Sequence, residues 1–82
     1  MNDVPSSLDW NSIYDAIDSI DGVFNVHDLH IWSITHGSYC LSVHADALDV
    51  ELATMEIQNV CTGFGIYHTT IQLQPEKGRG SE

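Results

Sequence analysis

Apolar residues recur along this chain in two periods, and the switches between them divide it into five segments. From Asp9 to Ile20 the apolar positions Trp10, Ile13, Ile17 and Ile20 lie three, four and three apart, a spacing that gathers side chains on one helix face. Asp9 stands at the N-cap, Asp15 and Asp18 fall on the wet side, and Gly22 follows Asp21 where a helix ends in a left-handed residue. From Asp28 to Ile34 the period drops to two, and again from Tyr39 to Ala45. The intervening His36-Gly37-Ser38 is short enough to make these two strands an antiparallel hairpin. Asp49 then caps a second helix that reaches Thr62, with Ala53, Ile57, Val60, Cys61 and Phe64 as its apolar stripe. Gly63 and Gly65 punctuate its exit, and Pro75 stops a third strand running from Tyr67 to Gln74.

The order αββαβ predicts an α+β two-layer sandwich, ferredoxin-like but lacking that fold's first strand. Its two helices cover one face of a three-stranded mixed sheet. The domain spans residues 8–75, between a flexible lead-in at 1–7 and a flexible tail at 76–82. With 82 residues, 43% hydrophobic and 17% charged, the chain is one globular unit near the lower size limit for a self-sufficient core. Domains of this size often draw stability from a partner subunit or a metal.

Alternation also sorts the strand side chains by face. Leu29, Ile31, Leu41, Val43, Ile71 and Leu73 belong under the helices. His30 and Trp32, then Cys40, Ser42 and His44, then His68, Thr70 and Gln72 belong on the open face. Imidazoles from all three strands thus share one surface. His27 breaks this parity, but it precedes the regular strand and its direction is left open. Neutral imidazole is a common ligand of zinc, which favours four-coordinate nitrogen and carboxylate sets. Asp28 beside His27 suits either a ring-orienting acceptor or a cap for the strand, and His36 is expected to be solvated at its turn.

Charge narrows the partners. Twelve Asp and Glu against two Lys and Arg give a net charge of −10 with histidines neutral. Such a surface repels phosphate backbones and anionic lipid and attracts cations, so nucleic acid is not an expected partner. No apolar run approaches the ~18–20 residues of a membrane span, and no direct membrane insertion is expected. Cys40 and Cys61 form no C-x-x-C pattern, and in the cytoplasm both are expected to stay reduced and packed as small apolar residues, Cys40 doubling as a possible soft ligand. There is no phosphate loop, nucleophile elbow or carboxylate pair in an apolar cleft, so no enzyme is expected.

The segments Gly22-Val23, Val26-His27-Asp28-Leu29-His30-Ile31-Trp32-Ser33, Leu41-Ser42-Val43-His44 and Phe64-Gly65-Ile66-Tyr67-His68-Thr69-Thr70-Ile71-Gln72 resemble the cytosolic C-terminal domain of the cation diffusion facilitator family. These are the zinc-transporter and cobalt–zinc–cadmium efflux proteins. The resemblance covers about residues 8–75 and implies a metallochaperone-like domain that forms a V-shaped homodimer, binds Zn²⁺ or a related divalent metal, and regulates export from the cytoplasm. Carried over position by position, it implies His27, His44 and His68 as the metal ligands; Asp28, His30 and Gln74 are kept beside them as candidates for a further ligand or supporting group. Parity favours His30 as the third imidazole and the resemblance favours His27; we take His27. Many relatives carry an acid where this chain has Gln74, which leaves a coordination position open.

Met1 leads directly into the acidic lead-in, and we expect a freestanding cytosolic relative of the domain that senses or buffers metal, or pairs with a full-length transporter. The alternative is a metal-independent dimerisation module whose histidines bind nothing.

Overall fold

The computed structural model of the protein describes residues 9–35 and 37–76. Five elements follow in the expected order: α1 (Trp10–Asp18), β1 (Val23–Thr35), β2 (Ser38–Ala47), α2 (Val50–Gly63) and β3 (His68–Pro75). β2 is the central strand, antiparallel to β1 and parallel to β3. The α+β sandwich with a three-stranded mixed sheet is therefore borne out. The expected lead-in 1–7, the tail beyond Glu76 and the His36 turn tip lie outside the described residues.

Both helices begin as their caps dictate. The Asp9 carboxylate accepts from the Asn11 backbone N–H at 3.3 Å, and that of Asp49 accepts from Leu52 N–H at 3.1 Å, satisfying donors that the first turn leaves unpaired. α1 presses Ile13 and Ile17 onto the sheet, and α2 adds Ala53, Ile57 and Cys61. They meet Val23, Val26 and Leu29 of β1 and Leu41, Val43, Ala45 and Ala47 of β2 in one continuous core, closed by Ile66. Both helices thus share one face of the sheet. Ile13, Ile17, Leu41, Val43, Ile57 and Ile66 are fully buried, each contributing about 1.5–3 kcal/mol of hydrophobic stabilisation.

Turns carry the remaining backbone polar groups. Gly22 takes φ 86°, a conformation that suits glycine, and its carbonyl accepts from Leu48 N–H at 2.9 Å. That bond ties the exit of α1 to the end of β2. At the other end of the core, Gly65 takes φ 84° and Ile66 N–H donates to Cys61 O at 2.9 Å, turning the chain from α2 towards β3.

One boundary differs from expectation by more than two residues. β1 begins at Val23 rather than Asp28, and it is irregular in its first half. Phe24 faces Asp46, His27 faces His44 and His30 faces Ser42, so β1 twice spends three residues against two on β2. These are β-bulges. The residues at the extra positions, Asn25 and Asp28, are the two described non-glycine residues with positive φ, 57° and 53°. Two bulges turn the buried period into three, Val23-Val26-Leu29, which a search for strict alternation does not see.

Candidate metal centre

The bulges settle the conflict over parity. Each extra residue flips the alternation once, so Phe24, His27, His30 and Trp32 lie on one face of β1. Opposite them stand Asp46, His44, Ser42 and Cys40 in turn, and β3 adds Gln74, Gln72, Thr70 and His68 to the same four rows. His27 and His30 therefore both occupy the open face. Adjacent rows lie roughly 6.6 Å apart, two residues along a strand.

Within this face, the described donor atoms that come within 4.8 Å of one another as a group of three belong to His27, Asp28 and His44. The two imidazoles form a cross-strand pair with centroids 5.6 Å apart and planes at 89°. Asp28 Oδ2 lies 3.5 Å from His44 Nδ1 and 3.9 Å from His27 Nε2. Asp28 reaches both rings because its bulged backbone, at φ 53°, turns its side chain out of the regular ladder. The other nitrogen of His27, Nδ1, is 2.7 Å from the carbonyl oxygen of Asn25. A carbonyl only accepts, so a hydrogen bond here requires the proton on Nδ1, and a neutral ring in that tautomer presents a bare Nε2 on its other side.

Two nitrogens and a carboxylate oxygen make a donor set that suits zinc and other divalent transition metals. The groups are half-buried or exposed, and His27 and His44 line an open concavity of about 650 Å³ together with Asn25, Asp46, Gln72 and Gln74. An ion there keeps access to solvent, and water can complete its shell.

His68 does not join this group. It faces Cys40, whereas His44 faces Gln72; four residues along β3 is about 13 Å. The parallel register places His68 two rows from the His27–His44 pair, so the three donors that meet within one chain among the described residues are His27, Asp28 and His44. His30 lies in the intervening row, opposite Ser42. Gln74 is one row beyond the pair, opposite Asp46, and Gln72 stands directly beside His44. Asn25 was missed from sequence, and so was the nearness of Gln72; the three-residue spacing of Val23, Val26 and Leu29 is the signal that exposes the bulges.

A family model described as the cytoplasmic domain of cation efflux proteins matches residues 5–76. The chain belongs to this family. The resemblance read from its histidine motifs is thereby borne out. The cadmium, cobalt and zinc/H(+)-K(+) antiporter of Bacillus subtilis (strain 168) is 39% identical, over 93% of this chain and 26% of the antiporter. The proton-coupled zinc antiporter SLC30A8 of Homo sapiens is 36% identical, over 90% of this chain and 21% of that protein. The chain thus spans 26% or less of the length of these two relatives. Among solved structures, the metal-bound C-terminal domain of the CzcD transporter from Cuprividus metallidurans superposes with a TM-score of 0.72 at 32% identity. That match covers 82% of this chain and 99% of that one. No described helix is long and apolar enough to cross a membrane.

Proposed function

We propose that this cation efflux domain binds a divalent transition metal, zinc foremost, at His27, Asp28 and His44. It does so as a cytosolic regulatory or sensor domain of, or related to, a cation diffusion facilitator exporter. The observation that carries the reading is the meeting of three donors at two strand irregularities, in a chain whose charge of −10 draws cations. Metal-bound relatives of the same fold and antiporters of cadmium, cobalt and zinc support the choice of metal. Zinc bound here gains two imidazole ligands and a carboxylate, and their mutual positions restrain the β1–β2 pairing where it is least regular.

The domain acts as a homodimer. Trp32 and Ile34, towards the hairpin end of β1, are 47% and 56% exposed, and apolar surface of this kind is characteristic of a subunit contact. Pairing with a full-length transporter through the same surface follows from the same chemistry.

Isothermal titration of zinc into the wild type and a His27→Ala/His44→Ala variant tests the proposal. Saturable binding near one equivalent per chain, lost in the variant, is expected. Equal binding by both proteins overturns His27 and His44 as the ligands, and no binding by either, with both dimeric, overturns the proposal in favour of a metal-independent dimerisation module.

A further inference from the structure

We propose that Asn25 is a positioning residue, whose backbone carbonyl holds the His27 ring in the tautomer that leaves Nε2 free to ligate. Its consequence for metal rests on the reading above; its structural part does not.

Neither bulge in the first half of β1 serves the core or the register. Leave out Asn25 and Asp28, and β1 as far as Trp32 reads Val23, Phe24, Val26, His27, Leu29, His30, Ile31, Trp32. That series alternates strictly between core and open face. Val23, Val26 and Leu29 are each less than 10% exposed, and the pairs Phe24–Asp46, His27–His44 and His30–Ser42 keep their partners. Neither extra residue is needed to seat the core or to set the register. Each keeps a non-glycine backbone at positive φ, which costs free energy in most residue types and least in Asn and Asp. Unneeded conformations of this kind persist where something else uses them.

Both have a use at the same place. Asp28 sends its carboxylate between the two imidazoles. Asn25 sends its carbonyl to the far nitrogen of His27, at 2.7 Å, while its side-chain amide lies 3.5 Å from Asp46 Oδ2 on the facing strand. A ligating imidazole commonly donates its second N–H to such an acceptor, which fixes ring orientation and tautomer. Here the acceptor is backbone. The side chain matters through its tolerance of the left-handed conformation and not through its own polar atoms.

The test is the tautomer of His27, read from the ring nitrogen shifts of ¹⁵N-labelled, metal-free protein at a pH where the ring is neutral. Zinc affinity is measured alongside. In the wild type, His27 is expected as the Nδ1–H form. Deletion of Asn25 preserves the ladder and removes the carbonyl; the Nδ1–H form should give way to a mixture or to Nε2–H. Zinc affinity should then fall about tenfold to a hundredfold, the usual effect of losing such a partner. Asn25→Gly, which keeps φ free, should retain both properties. Asn25→Val, which disfavours positive φ without changing chain length, should resemble the deletion and decides the matter if the deletion does not fold.

Nε2–H in the wild type overturns the proposal. So does an unchanged tautomer in both the deletion and Asn25→Val, or loss of the tautomer in a folded Asn25→Gly. If the tautomer behaves as expected and no variant binds zinc, the positioning role stands and the metal reading fails.

Discussion

The indole nitrogen of Trp10 donates to the backbone carbonyl of Leu29 at 3.0 Å, fastening the start of α1 to the strand residue that follows the second bulge. The same indole stacks on Tyr14 at 5.3 Å and 9°, so the donor is held by its own helix. Trp10→Phe removes the bond and keeps most of the apolar contact. It should lower stability by about 1 kcal/mol. For a domain of this size that is a fall in melting temperature of roughly 4–8 °C, measurable by circular dichroism, with an unchanged fold.

Most of the architecture was legible in the sequence, because both helices are amphipathic with aspartate caps and because Leu41-Ser42-Val43-His44 alternates without interruption. The first half of β1 was not. A strand with two extra residues presents period three over Val23-Val26-Leu29, and side chains counted by strict alternation land on the wrong face. Histidines were legible as ligand types, but which of them meet depends on register. The β2–β3 register is set across the whole of α2, so nothing local to His68 states that it lies beside Cys40 instead of His44.

Removing His68 is therefore expected to leave high-affinity zinc binding within a few-fold of the wild type, since it lies about 13 Å along β3 from the His44 row. Loss of stoichiometric binding in His68→Ala, by titration, would mean that the ligand set crosses between subunits.

Asp28→Asn keeps a residue that tolerates positive φ and nearly the same shape, but removes the charge between the two imidazoles. Zinc affinity should fall about tenfold or more, a scale reached even by groups that only hydrogen-bond to a ligand. The apo fold, checked by melting temperature and amide spectrum, should change little.

Metal should also stabilise the domain in a pH-dependent way. Free zinc at about 100 times Kd adds about 2.7 kcal/mol, or roughly 10–20 °C in a small domain. Protons compete for imidazole nitrogen, so binding releases protons and affinity must fall as pH is lowered from about 7.5 to about 5.5. A flat affinity across that interval, by titration in matched buffers, excludes His27 and His44 as ligands.

Cys61 has no accessible surface, and burial pushes its thiol from 9.0 up to about 11. The unfolded thiol loses its proton first as pH rises, so the folded state carries the extra proton and stability declines between those two values. Alkylation under native conditions should modify half-buried Cys40 well before Cys61, with Cys61 reacting on denaturation; mass-resolved labelling gives the order.

The two margins of the sheet are unlike each other. β1 presents an outer edge interrupted at three register shifts, between Phe24 and His27, His27 and His30, and Ser33 and Thr35, which hinders a neighbouring strand from zipping along it. β3 presents seven regular residues, His68 to Gln74, with no Lys, Arg, Asp or Glu among them, ahead of Pro75. Among the described residues β3 is thus the edge better suited to growth of the sheet by a foreign strand, and the shared charge of −10 opposes it between copies of this chain. Salt shortens the reach of that charge, to about 10 Å at 0.1 M, and so weakens what holds two copies of this edge apart.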